Sequence, residues 1–222
     1  MKSIDVVILS NTANADYYKM LKQCIMSIKN NIDVNTNIIL VETNKKLKGK
    51  DLMLPIDTVC IPEDEEFNYN KFLNYGLQYC KNDFICITNN DVIYESNTLN
   101  GLINSLDKYD SVSPWDNRDS WKFHETRNTY EGYRSTVHVT GWCIVTTKET
   151  LKKIGGTFDE RFEFWYQDDD YSKSLQHHNL THALIGDVAV YHLGQQSHKL
   201  LDNIEQKTHG LAKVYLDKWN LN

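Results

Sequence analysis

The sequence predicts an α/β fold, a sheet flanked by helices and contained in one domain over residues 1–222. Three observations point there. Short apolar, β-rich segments alternate with segments of helical period, the pattern of βαβ units and hence of a parallel sheet. Polar clusters stand where those strands end: Ser10-Asn11-Thr12, Glu42-Thr43-Asn44 and Asn89-Asn90-Asp91. Open sheets of this kind bind ligands at the carboxyl ends of their strands. Finally, the 222 residues are 41% hydrophobic and 24% charged, which suits one sizeable core better than two.

Taken in order, Ile4–Ser10 reads as a buried first strand and Asn11-Thr12-Ala13-Asn14 as the turn after it. From Asp16 to Asn30 the residues Tyr17, Leu21, Cys24, Ile25 and Ile28 follow helical spacing. Asn37–Glu42 is the second strand, Lys45–Lys50 a solvated loop and Asp57–Ile61 a short third strand. Asn70–Cys80 carries Phe72, Leu73, Gly76, Leu77 and Cys80 on one helical face. Phe84–Thr88 is the fourth strand, and a helix runs through Leu99–Leu106. The polar, aromatic stretch Ser113–Tyr133 lacks periodicity and is expected to be a long functional loop. Val137–Thr147 reads as a strand with Gly141 in its middle, where a glycine marks a bulge or a close approach to a ligand. Lys148–Ile154 is a short helix stopped by Gly155-Gly156. The acidic run Asp168-Asp169-Asp170 opens a helix to about Asn179. A strand over Ala183–Tyr191 follows. The last helix spans Leu200–Trp219, with Leu201, Ile204, Leu211, Val214 and Tyr215 as its apolar stripe.

Composition excludes several classes. The longest apolar runs are far shorter than the roughly 18 residues of a membrane span. Met1-Lys2-Ser3-Ile4-Asp5 runs straight into a strand, with no charged and apolar leader ahead of it. Cys24, Cys60, Cys80, Cys86 and Cys143 are odd in number and lack C-x-x-C spacing, so they read as reduced core thiols of a cytoplasmic protein. A net charge of −6 is poorly suited to wrapping a nucleic-acid backbone.

Four ordered segments stand out as a set. The first is I-D-V-V-I-L-S-N-T with Leu21–Ile28 on the following helix. The second is Phe67–Leu77 leading into Asp83–Val92. The third is Thr140–Phe162, and the fourth is Trp165–Leu175, completed by Val188–Ser197. In this order they resemble the family 2 glycosyltransferases, and the resemblance implies the GT-A fold, a Rossmann-like, mixed but mainly parallel sheet. Residues 1–92 form its nucleotide-sugar half, residues 93–198 its acceptor and catalytic half, and residues 199–222 a terminal helix. Three positions depart from the family pattern. Asn89-Asn90-Asp91 keeps only the last acid of D-x-D, Gln167-Asp168 replaces a Glu-Asp pair, and Glu42 replaces an aspartate.

The resemblance also implies a chemistry. Asp91 and His192 would hold Mn²⁺ or Mg²⁺ on the diphosphate of the donor, imidazole favouring Mn²⁺. A helix cap is the other reading of Asp91, although Ser96 or Asn97 can serve there. Asp168 is implied as the general base of an inverting transfer, with Asp170 as second choice. Neighbouring carboxylates raise one another's pKa, which suits a base working near neutrality. Aspartates also favour helix N-termini without any catalysis. Ser10, Asn11, Thr12 and Glu42 are placed at the base and ribose of a donor expected to be a UDP-sugar. Asn89 and Asn90 fall in the donor site, Asn90 at the sugar, the ribose or a metal-bound water; Lys71 is placed at the diphosphate or is a plain exposed helix lysine, and Asn74 braces the loop near Asp91. Gly141, Trp142, Trp165, Gln167 and Asp169 line the acceptor side, with Trp115 and Trp121 as further sugar-stacking candidates or plain core. The acceptor is expected to be a carbohydrate, a glycoconjugate or another hydroxyl compound.

Rival readings are an inactive sugar- or nucleotide-binding module of the same fold, and a transferase acting on a modified nucleic-acid base. A nucleotidyltransferase is disfavoured, because Ser10–Ala15 has neither a glycine nor a basic residue for a triphosphate.

Overall fold

The computed structural model describes residues 1–63, 66–118, 126–194 and 204–221, with backbone alone for 204–209. Nine strands form one sheet: β1 (Lys2–Ser10), β2 (Val34–Glu42), β3 (Thr58–Cys60), β4 (Phe84–Asn89), β5 (Val92–Tyr94), β6 (Ser111–Asp116), β7 (Tyr130–Glu131), β8 (Cys143–Thr147) and β9 (His182–His192). Among the described residues six α-helices accompany them, α1 (Ala15–Lys29), α2 (Tyr69–Leu77), α3 (Thr98–Ser105), α4 (Lys148–Lys153), α5 (Gln167–His177) and α6 (Ile204–Trp219), with a single 3-10 turn at Lys45–Leu47. The strand order is β3-β2-β1-β4-β8-β6-β9-β5, with β7 alongside β9. Strands β3, β2, β1 and β4 are parallel. β8 then runs antiparallel between β4 and β6, and β6 pairs in parallel with β9. The sheet is thus mixed and mainly parallel, as the sequence predicts.

Alternation along β1 explains the layering. Ile4, Val6 and Ile8 face a core shared with Leu21, Cys24, Ile25 and Ile28 of α1 and with α3. Val7 and Leu9 face the other core, with Phe72 and Leu73 of α2 and Tyr171 and Leu175 of α5. A strand buried on both faces reads as a near-continuous apolar run, here Val6–Leu9 after the buried Asp5, which is why β1 reads so clearly. Asn14 caps α1 by accepting from the amides of Asp16 and Tyr17. Gly76 lets α2 approach the sheet: a Cβ there would stand 2.6 Å from Val41 Cγ2. Cys24, Cys60, Cys86 and Cys143 are buried, and all five cysteines are free thiols. Among the described residues no helix is long and apolar enough to cross a membrane.

The second half corrects the sequence reading. Ser113–Tyr133 does not begin as a loop: β6 runs through Asp116, every residue of it buried. Full burial removes the alternation that marks a half-buried strand, and Pro114 disguises it further. The β6–β9 register shifts next to that proline. Residues 119–125, including Trp121, lie outside the described residues. The strand expected over Val137–Thr147 is confined to Cys143–Thr147; Val139 makes only an isolated bridge with Ser135. β5, three residues long, escapes periodicity altogether. Asn97, not Asp91, occupies the N-cap of α3. In α6 the described stripe residues Leu211, Val214 and Tyr215 are only partly buried, and 200–203 lie outside the described residues.

Candidate functional site

At the carboxyl ends of β1, β2 and β4 the side chains brace one another. Glu42, fully buried, accepts the Thr12 amide (3.0 Å), the Thr12 hydroxyl (2.6 Å) and the Asn44 amide (2.8 Å). A buried carboxylate needs such donors to offset its lost hydration. Asn44 Nδ2 donates back to Thr12 O (2.7 Å), and Thr43 N to Ser10 O (2.8 Å). Asn90 Nδ2 donates to Ser10 Oγ (2.9 Å), joining the β4 end to the same rim. Of Ser10, Asn11 and Thr12, only Asn11 is exposed.

The metal-ligand candidates converge through backbone register. The chain turns at Asn90-Asp91 into β5, where Val92 pairs with His192 across an antiparallel ladder. Leu193 N donates to Asp91 O (2.9 Å). His192 Nε2 consequently lies 3.4 Å from Asp91 Oδ1. That oxygen is buried and has no hydrogen-bond partner. Trp142 stacks on the His192 ring at 4.8 Å and 21°. Asp116, buried at the end of β6, accepts from His192 N (3.4 Å). Among the described residues no third His, Cys, Asp or Glu completes a metal cage. One hard oxygen and one imidazole nitrogen suit Mn²⁺, or Mg²⁺ less well, with substrate oxygens and water left to complete the shell.

Asp168 lies in the first turn of α5. Gly141 abuts it: a Cβ at 141 would stand 3.2 Å from Asp168 Cβ and 3.4 Å from Oδ2. Burial, then the Asp169 charge, pushes the Asp168 carboxyl up to about 6. Beside it is a small cavity walled by Leu73, Ile87, Ile144 and Tyr171 and faced by Asn70 and Gln167. Asn70 Nδ2 donates to Asp159 O (2.9 Å), which fixes the amide's orientation. Its Oδ1 and Gln167 Oε1 are both buried without a hydrogen-bond partner. Tyr69 Oη donates to Asn89 Oδ1 (3.1 Å) and links the β4 end to this cavity. Its hydroxyl is held protonated by burial and by the Asp168 and Asp91 charges.

Other expected residues have different surroundings. Asn74 donates to Phe158 O (2.8 Å) and Glu160 Oε1 (3.1 Å) and accepts from Phe158 N (2.8 Å). It braces the 158–160 segment rather than the Asp91 loop, and its amide is filled. Asp170 is ion-paired to Lys218 (2.7 Å) and accepts from Trp219 Nε1 (2.9 Å). A base must be open to the acceptor hydroxyl, so Asp170 does not fit that role. Asp169 accepts a hydrogen bond from Ser135. Trp115 packs in a small core with Leu184 and Ala189, where no sugar can stack on it. Trp165 is half-buried against Phe164, and Lys71 is half-buried in the first turn of α2. Sequence reasoning missed Tyr69, Asn70 and Asp116. Asn70 reads as a helix start, Tyr69 falls just ahead of the expected helix, and Asp116 is hidden with β6.

The profile of glycosyl transferase family 2 matches residues 7–164. Among curated proteins none matches significantly in sequence. One similar solved structure is that of GalNAc-T7 with UDP, GalNAc and Mn²⁺ (TM-score 0.66, 13% identity over 86% of this chain and 44% of that one). Another is S. aureus TarS 1–349 in complex with UDP-GlcNAc (TM-score 0.63, 16% identity over 94% of this chain and 64% of that one). The chain therefore spans less than two thirds of the length of either.

Proposed function

On the premise that the chain belongs to glycosyl transferase family 2, we propose that it moves a sugar from a nucleotide-sugar donor to an acceptor hydroxyl with inversion. One observation carries this reading. The buried Asp91 Oδ1 lacks a hydrogen-bond partner and stands 3.4 Å from His192 Nε2, a pair that fits a divalent cation. Mn²⁺ or Mg²⁺ held there would neutralise the diphosphate charge as the donor breaks. A UDP-sugar donor is favoured because both structural relatives were solved with UDP or a UDP-sugar.

Ser10, Asn11 and Thr12, shaped by Glu42, take the base and ribose, while Asn89 and Asn90 take the sugar side. Lys71 serves the diphosphate. Gly141, Trp142, Trp165, Gln167 and Asp169 border the acceptor. Asp168 accepts the proton of the acceptor hydroxyl. The acceptor oxygen bonds to the anomeric carbon on the face opposite the breaking bond to the β-phosphate oxygen, through an oxocarbenium-like state. The nucleoside diphosphate leaves with the bonding electron pair. Within this scheme residues 1–92 are the donor half and residues 93–198 the acceptor half.

The test is a panel of UDP-, GDP- and dTDP-sugars with Mn²⁺, read by donor consumption, together with calorimetry of UDP. Asp91→Ala is expected to abolish Mn²⁺-dependent UDP binding. Unchanged binding would remove the cation from Asp91. Nucleotide binding without turnover across the whole panel would leave a binding module only.

A further inference from the structure

The segment that carries Asp168 is held from behind by a helix lying outside the part of the chain that matches the family. Lys218, in the last turn of α6, reaches Asp159 Oδ2 (2.8 Å) and Asp170 Oδ1 (2.7 Å). Trp219 Nε1 donates to the same Asp170 oxygen (2.9 Å). One ammonium thus ties the two ends of the 159–170 stretch. Tyr215 adds aromatic contacts with Tyr166 (5.4 Å) and with the fully buried Phe162 (6.3 Å). Tyr166 is the left-handed residue, φ 66°, on which α5 begins, and it has no side-chain cap.

The local energetics make the latch matter. Three consecutive acids open α5 without a capping side chain, and like charges so close repel. Asp170 is 4% exposed. Removing one partner of a buried ion pair leaves the other charge uncompensated, a far larger penalty than losing a surface pair. Among the described side chains of α6, from Gly210 on, none is fully buried, and Lys218 and Trp219 supply its polar contacts to the 159–170 stretch.

The geometry points to Lys218 and Trp219 as positioning residues that set Asp168 for catalysis by clamping Asp170 and Asp159. This rests on the reading of Asp168 as the base. Lys218 touches no substrate in this account and acts only through the turn it holds.

Hydrogen exchange and kinetics on the full chain test it separately. In Lys218→Met, amides 166–170, including Asp170 N bonded to Tyr166 O (2.8 Å), are expected to exchange about tenfold faster, while those of β1 and β4 keep their protection. With the best donor of the panel, kcat falls about tenfold and the donor KM changes less than about twofold, the cost of a misplaced group. Lys218→Arg restores both readouts. Asp170→Asn combined with Lys218→Met recovers part of the exchange protection, because no buried charge is left alone. Wild-type exchange at 166–170, or loss of protection spread evenly over the chain, overturns the latch. If no donor turns over, the transferase reading fails, and the exchange experiment still decides whether the latch holds this turn.

Discussion

The rim formed by β1, β2 and β4 and the surroundings of Asp168 lie on one sheet but solve opposite problems. At the rim, Glu42 collects three donors and Asn44 closes back onto Thr12. Around Asp91 and Asp168, three buried oxygens stand without hydrogen-bond partners: Asp91 Oδ1, Asn70 Oδ1 and Gln167 Oε1. Unmade buried hydrogen bonds are costly, and native structures keep few of them. The rim is therefore a finished scaffold that shapes a loop. On the proposed function, the other region is held in readiness for groups that arrive with substrate. Mutations should separate the two, lowering stability at the rim and activity at the site.

The largest separation is expected for Asp168→Asn. Transfer should fall on the order of 10²-fold or more, with donor affinity kept, because an amide cannot accept the acceptor's proton. Stability should move the other way. Asp168 ionises in the folded protein only near pH 6, against about 3.9 for an unfolded aspartate. The folded state therefore binds the proton more tightly than the unfolded one. A destabilising contribution is absent below about pH 4, grows between about pH 4 and 6, and is complete above that. Asn removes it, so the variant should be more stable than wild type at pH 7.5 by on the order of 2 kcal/mol and equal to it near pH 3.5. Denaturant melts at the two pH values check this. The same titration makes wild-type transfer fall as pH drops through about 6. A flat profile between pH 5 and 8, with wild-type turnover in the variant, would take the base role away from Asp168.

Glu42→Ala probes the rim. Two amide donors and one hydroxyl lose their acceptor. The expected loss is about 2 kcal/mol of unfolding free energy, by the usual cost of orphaning buried groups. Donor KM should rise through the loosened Thr12 loop while kcat at saturation holds. A kcat collapse with unchanged stability would mean that Glu42 belongs to the reacting centre instead.

How much of this was legible in the sequence follows the same division. β1, β2 and β4 and their polar ends are readable because strands buried on both faces carry short apolar runs, Val6–Leu9, Ile38–Val41 and Ile85–Ile87, which polar residues end abruptly. The cluster holding Asp91 and the acidic run holding Asp168 are visible locally, whereas the roles of Asp91, Asp168 and His192 come from the order of motifs. The β5–β9 register that brings Asp91 to His192 was invisible, since β5 has only three residues. β6 was misread because Ser111, Ser113 and Asp116 are polar yet buried. In the acidic run Asp170 stands only as second choice to Asp168; the Lys218 and Trp219 contacts, far along the chain, are what set it aside. Asn70 looked like a helix start, and its unfilled oxygen is a tertiary fact.

The smallest expected effect tests the spacing of the site rather than its chemistry. Gly141 has an ordinary backbone conformation, so alanine is not strained there by φ. Its new methyl would sit 3.2 Å from Asp168 Cβ and 3.4 Å from Cγ and Oδ2, closer than comfortable contact. Asp168 must then move by a few tenths of an ångström. A full ångström of misplacement costs about 10²-fold, so Gly141→Ala should lower kcat by about threefold. Donor KM and the melting temperature should change little, because the methyl also restricts the unfolded chain. Steady-state kinetics beside thermal melts separate the outcomes. Unaltered kcat would mean that the 141 backbone and the 168 carboxylate are not packed face to face, and the acceptor wall would then have to be sought elsewhere.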